Sequence, residues 1–75
     1  GPERAARLLT ERVTVLDEHI AQMRDSLEQG RNQGAKRIWM LAHEHRLATL
    51  TTERDYIASV VHDIESKELT WPTSH

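Results

Sequence analysis

The residues best suited to chemistry in this chain are two histidines that flank one glutamate, His43-Glu44-His45. Imidazole nitrogens and carboxylates are common zinc ligands. On a helix, however, residues two positions apart point about 200° away from each other, so these two imidazoles cannot share one ion. Zinc-binding helices that use two histidines place them four positions apart. We therefore expect both histidines at a surface or an interface, and we expect no metal or other cofactor.

Paired carboxylates are the second arrangement that could do chemistry. Asp17 adjoins Glu18, and Asp63 lies two residues before Glu65. Arginines and lysines surround both pairs, which is typical of the solvated face of a helix and not of an acid–base pair. No serine or threonine has a base at a suggestive spacing. We expect no enzyme activity, because catalysis also needs a pocket that two helices rarely form.

Two candidate binding features remain. Trp39 and Met40 could contact a flat aromatic ligand, although such a pair more often closes the end of a core. Arg54 lies at a position where an apolar residue is expected. It could fix the register of helix pairing, with Asp17 or Glu18 or with an acid of a second subunit, or it could simply extend its charge to solvent. Trp71 follows the last predicted helix and could cover one end of the fold or dock on a neighbouring domain.

The elements that must position these residues are helices. Apolar side chains recur at alternating three- and four-residue steps, which is the heptad pattern of a helix that packs along one stripe. We call this stripe the seam. It carries the predicted core and dimer contacts, and its members are Leu9, Val13, Leu16, Ile20, Met23, Leu27, Met40, Leu47, Leu50, Ile57, Val61 and Ile64.

The chain divides into two predicted helices of matched length. We expect the first over residues 3–29, a loop over 30–34 with Gly30 as the helix stop, and the second over 35–67. Pro72 ends the helical hairpin of residues 3–72, and residues 73–75 form a tail. Gly1-Pro2 resembles the remnant of a cleaved purification tag.

The second helix has apolar residues on more than one face. A second partial stripe contains Ile38, Trp39, Leu41, Ala42, Ala48, Tyr56 and Val60. One face can pack on the first helix, and another copy of the chain is the simplest partner for the remainder. The sequence predicts an all-α fold of two long antiparallel helices that dimerises into a four-helix or coiled-coil-like arrangement.

Composition limits the function classes. The chain has 75 residues, ten basic and twelve acidic, a formal net charge of −2 and no cysteine. Direct nucleic-acid binding is unexpected, because such domains are normally strongly basic on one face. The absence of cysteine suits the cytoplasm, and no apolar run is long enough for a membrane span or a signal peptide.

The segment Asp63-Ile64-Glu65-Ser66-Lys67-Glu68-Leu69-Thr70-Trp71-Pro72 resembles the end of PadR-family bacterial transcriptional regulators. Residues 53–61 and 6–13 are similar to the two helices of the same C-terminal domain. The resemblance implies a two-helix domain that pairs subunits, so that an N-terminal winged helix, absent from this chain, can bind operator DNA. Some members of the family sense flat aromatic compounds near the dimer interface.

The resemblance therefore implies a homodimerisation domain of a bacterial transcription regulator, located in the cytoplasm. Two alternatives stay open. One is a helical domain that captures a flat aromatic effector through Trp39 and Met40, and the other is a coiled-coil adaptor that binds a different protein.

Overall fold

The computed structural model describes residues 1–69 and consists of two α-helices joined by a short loop. Helix α1 spans Pro2–Asn32 and helix α2 spans Arg37–Glu65. They run antiparallel in an elongated molecule of 61 × 17 × 16 Å. The predicted all-α helical hairpin is confirmed. Trp71, Pro72 and the predicted tail 73–75 lie outside the described residues. Neither helix is long and apolar enough to cross a membrane.

The predicted stop at Gly30 was wrong, because α1 continues through this residue to Asn32. A Cβ atom at Gly30 would lie 3.2 Å from the sulfur of Met40, so glycine lets α2 approach α1 closely here. The turn instead uses Gly34, whose φ of +79° is in the left-handed region that glycine adopts at little cost.

The second helix is shorter than the predicted range 35–67 at both ends. Ala35 belongs to the loop, where its N–H donates to the Gly30 carbonyl at 2.8 Å, and Lys36 is extended before α2 begins. At the other end Lys67 has a φ of 63°, which ends the helix. Its N–H donates to the Ile64 carbonyl, and the Leu69 N–H donates to the Asp63 carbonyl, each at 3.1 Å.

The core lies along the seam between the two helices of one chain. Its centre is Leu16, only 1% exposed, together with Ile20 and Leu50, and Met23, Leu47 and Ile57 pack around these three. Leu27, Met40, Val61 and Ile64 are also buried, and Leu9 and Val13 are half-buried. Each such side chain contributes roughly 1.5–3 kcal/mol when fully buried. The seam is therefore occupied by the intramolecular helix pair.

Candidate interaction surface

Arg54 forms the shortest ion pair among the described residues. Its Nε donates to Asp17 Oδ1 at 2.7 Å across the helix pair, and its Nη1 donates to Asp55 Oδ1 at 3.3 Å on the same helix. The hydrogen bond to Asp17 and the attraction of that carboxylate raise the pKa of the Arg54 guanidinium above its ordinary value. Arg54 thus has the partner on α1 that the sequence suggested.

A second cross-helix ion pair lies close to the first. Arg12 Nη2 donates to Glu53 Oε1 at 3.3 Å. The two pairs have opposite polarity, since α1 supplies the cation in one and the anion in the other. Sliding either helix by one turn would separate both pairs, so together they favour the observed register. Both are solvent-accessible and therefore contribute little to stability beyond the choice of register.

Trp39 and Met40 do not share a site within the chain. Met40 is 7% exposed and packs between the helices, whereas Trp39 is 76% exposed. Neighbouring residues on a helix point about 100° apart, which separates the two environments. Met40 lines an open groove of about 440 Å³ near the loop, together with His19, Met23, Leu27 and His43. Trp39 does not line this groove, so a ligand bound there would not contact the indole.

The histidines of the His43-Glu44-His45 motif are both exposed. Glu44 accepts hydrogen bonds from the Arg37 guanidinium, with Nη2 at 3.2 Å from Oε1, so its carboxylate already has a cationic partner. Within residues 1–69, no group of three or more histidine, aspartate or glutamate side chains is arranged to hold a metal ion.

A second groove, of about 770 Å³, lies at the open end of the hairpin. Its apolar floor contains Ala6, Ile64 and Leu69, and its rim carries acidic and basic side chains, among them Glu11 and Lys67. The mixed charges favour neither an anionic nor a cationic ligand. The groove therefore has no chemical preference that would identify an occupant.

Most of the large apolar residues that stay exposed are on α2. Ile38 is 69% exposed, Tyr56 is 68% exposed, and Leu41 is also exposed, as is Trp39. All members of the second partial stripe of the sequence are exposed apart from Val60, which is half-buried. On α1 the exposed large apolar residues are Leu8 and Val15. Closing the hairpin therefore leaves most of the exposed bulky apolar groups on α2.

The face of α2 opposite the seam has a regular pattern that the sequence analysis missed. Seven exposed residues follow the heptad steps of four and three, and none of them is Asp, Glu, Lys or Arg. We call them the outer stripe, which consists of Ile38, Ala42, His45, Thr49, Thr52, Tyr56 and Ser59. The signal that could have revealed it is the absence of charge, since 29% of the chain is charged.

The threonine and serine hydroxyl groups of the outer stripe already have backbone partners. Thr49 Oγ1 donates to the His45 carbonyl and Thr52 Oγ1 donates to the Ala48 carbonyl, each at 3.0 Å. Ser59 Oγ donates to the Tyr56 carbonyl at 2.7 Å. A hydroxyl that keeps its hydrogen bond costs much less to remove from water than one that loses it. Removing the stripe from water therefore costs less free energy than its content of threonine and serine suggests.

The corresponding face of α1 is different. Its exposed outward positions at the same steps are Arg7, Glu11, Thr14, Glu18, Ala21, Asp25 and Glu28, of which only Thr14 and Ala21 are uncharged. Charged side chains in these positions are typical of a face that remains in water. The contrast assigns the candidate interaction surface to α2.

Comparison with protein-family models, with curated proteins and with solved structures finds no match to this chain.

Proposed function

We propose that this chain is a self-pairing module, a helical hairpin whose function is to hold two copies together. The observation that carries the proposal is the set of bulky apolar side chains that α2 leaves in water, above all Ile38, Trp39 and Tyr56. Large apolar surfaces that folding leaves in water typically mark an interaction site. A second copy supplies a matching surface without any further partner.

The size of the domain supports the same proposal. Residues 1–69 form two helices that pack along one line of side chains, and only eight apolar residues are buried among them. Small domains commonly gain the remaining stability from disulfides, metals or association. The sequence contains no cysteine, so a disulfide cannot supply it. Association would cover further apolar surface.

The biological setting that we propose is that of a cytoplasmic PadR-like bacterial transcription regulator, in which this hairpin pairs the subunits. Support comes from the sequence resemblance over residues 63–72 and from the two-helix architecture that the resemblance implied. In that setting an upstream winged helix would bind operator DNA. The gene segment that encodes the residues before Gly1 tests this directly. A winged helix there supports the setting, and an unrelated domain would rule it out.

Thermal unfolding at several protein concentrations tests self-pairing. If folding and association are coupled, the midpoint temperature rises with concentration, because mass action favours the dimer. Loss of ellipticity at each concentration gives the midpoint. A midpoint independent of concentration, in a chain that unfolds cooperatively, would contradict the proposal.

A small-molecule effector site is the second candidate function, and the exposure of Trp39 is the observation that favours it. Its indole is 76% exposed, so a flat aromatic compound could stack on it. Saturable quenching of Trp39 fluorescence in a Trp71→Phe variant would support this function. Quenching that grows linearly with the concentration of every compound would exclude it. A coiled-coil adaptor remains the outcome if the isolated chain is a stable monomer.

A further inference from the structure

We infer that two copies pair through the outer stripe of α2, with the two α2 helices antiparallel and centred between Thr49 and Thr52. This inference rests on the proposed self-pairing and adds the surface and its orientation. The outer stripe follows a heptad pattern over Ile38–Ser59, which is the pattern that lets one helix pack along another. It is separate from the seam, so the hairpin need not open to pair.

The stripe combines small residues with a few large ones. Ala42, Thr49, Thr52 and Ser59 allow two helix backbones to approach closely, while Tyr56 provides apolar area against His45 of the other copy. Ile38 lies at the end of the stripe, level with Asp63 of the other copy. An antiparallel pair with this centre places Ala42 of one copy opposite Ser59 of the other. Since the three hydroxyls keep their bonds to backbone carbonyls, none needs a new partner in the interface.

Charge at one edge of the stripe indicates the orientation. Arg46 and Glu53 lie seven residues apart on the same edge of the outer stripe. Residues on the same edge face each other in an antiparallel pair of helices. Arg46 of each copy therefore meets Glu53 of the other. Glu53 already accepts from Arg12 of its own chain at 3.3 Å through Oε1, so Arg46 is a second cationic partner for this carboxylate.

The neighbouring residues on this edge agree with the same arrangement. Trp39 and Val60 continue the edge beyond Arg46 and Glu53, so they also meet across an antiparallel pair and cover apolar area. In a parallel pair, opposite edges face each other instead. Arg46 would then lie beside Leu41 and Glu53 beside Ala48, and neither charge would gain a partner. The antiparallel arrangement is therefore favoured.

The rival surface is the flank of α1 that carries Leu8 and Val15. It is less suitable, because Arg12 lies between these two residues and engages Glu53 across the hairpin. The outward face beside it carries Arg7, Glu11 and Glu18, which would lose water on pairing. No member of the outer stripe itself is charged, and the charged residues at its edge, Arg46 and Glu53, meet each other across the pair.

Two glutamate substitutions test the surface with a matched control. Thr52→Glu changes the outer stripe, and Thr14→Glu changes the outward face of α1. Both threonines are exposed, and both donate to the carbonyl four residues earlier, at 3.0 Å and 3.2 Å. We expect Thr52→Glu to weaken dimerisation at least about tenfold, because it introduces carboxylates at the centre of the interface. Thr14→Glu leaves the dimer dissociation constant unchanged, and both variants keep their helicity.

Disulfide crosslinking tests the orientation, and the chain offers a clean background because it has no cysteine. Ala42→Cys and Ser59→Cys lie about 26 Å apart along α2, far beyond the reach of a disulfide. In the antiparallel pair, a mixture of the two variants forms a disulfide-linked heterodimer on oxidation, and neither variant alone crosslinks efficiently. In a parallel pair, each residue faces the same residue of the other copy. Each variant alone would then form a disulfide-linked homodimer, and the mixture would give little heterodimer.

The outcomes separate this inference from the proposed self-pairing. A native chain that stays monomeric contradicts both. A dimer that Thr52→Glu leaves intact overturns the choice of surface while self-pairing stands, and loss of the dimer in Thr14→Glu would place the interface on α1. A dimer that Thr52→Glu disrupts, but whose cysteine variants crosslink only to themselves, overturns the antiparallel orientation.

Discussion

Arg54 Nε lies 2.7 Å from Asp17 Oδ1, which joins the middle of α2 to the middle of α1. Arg54 lies in the heptad seam, at a position that usually carries an apolar side chain. A polar residue in such a seam typically selects one register of helix pairing at some cost in stability. Here the partner carboxylate comes from the other helix of the same chain, so the pair fixes the hairpin itself.

We expect Arg54→Gln and Asp17→Asn to be energetically coupled. Each single change lowers the free energy of unfolding slightly, and the double variant loses less than the sum of the two. Added salt reduces the coupling, because the pair is exposed to solvent. Urea unfolding of all four proteins at low and high salt measures it. Strictly additive effects would show that the contact does not fix the register.

We expect the contribution of Arg54 to the free energy of unfolding to be independent of pH near neutrality. The pKa of Arg54 is raised in the folded chain by Asp17. A cation with a raised folded pKa contributes stability that is fully present below its unfolded pKa and is lost only as the pH rises through the folded pKa. For arginine both values lie far above neutrality, so the contribution from Arg54 stays constant through the neutral range.

Leu16 is the most buried large side chain of the hairpin core. We expect Leu16→Ala to lower the free energy of unfolding by about 2–5 kcal/mol, through lost transfer energy and the cavity left against Ile20 and Leu50. Leu8→Ala is the matched control on the same helix, since Leu8 is exposed, and it should cost far less. Urea unfolding followed by circular dichroism compares them. Equal losses would contradict the assignment of the core.

The two glycines near the loop should respond differently to alanine. Gly34→Ala lowers the free energy of unfolding by about 1 kcal/mol, because its φ of +79° strains a residue with a Cβ. Gly30→Ala is neutral or stabilising by up to about 1 kcal/mol, because a helix interior favours alanine and the flexible Met40 side chain can move aside. Thermal unfolding of both variants compares the two changes in stability. A larger loss at Gly30 than at Gly34 would show that the close helix approach dominates.

The sequence predicted the hairpin and its core well, because heptad spacing reports directly which side chains face another helix. It placed the end of α1 wrongly, since the preference of glycine for a helix stop is local and weak. The helix continues past Gly30 to Asn32, and Gly34 provides the left-handed residue of the turn. Which of two nearby glycines forms the turn depends on packing that spacing alone does not reveal.

The outer stripe escaped prediction for a different reason. Thr49, Thr52 and Ser59 count as polar in any hydropathy pattern, so a stripe that contains them is not recognised as an interaction surface. Their hydroxyls bind backbone carbonyls of the same helix, which lowers their need for water. That property belongs to the folded helix. The ion pair of Arg54 was easier to anticipate, because seam spacing places an acid of α1 opposite it.

Reversing the charge of Arg46 in one variant and of Glu53 in another should give two chains that prefer to dimerise with each other. Arg46→Glu places two acids on this edge of each copy, and Glu53→Arg places two arginines there, so each variant should dimerise more weakly with itself than the native chain does. Because Glu53→Arg also removes the intramolecular partner of Arg12, circular dichroism must show that each variant keeps the helicity of the native chain. When the two variants are mixed, each acid meets an arginine, and the heterodimer should recover. Native mass spectrometry of the mixture measures the three dimers. A statistical mixture would contradict the antiparallel contact.

Sedimentation equilibrium of the unaltered chain over a wide concentration range tests the central claim most directly. Self-pairing through α2 predicts a reversible equilibrium between one chain mass and twice that mass, with no larger species. A single species at the mass of one chain, fully helical up to the highest concentration that stays in solution, would contradict it.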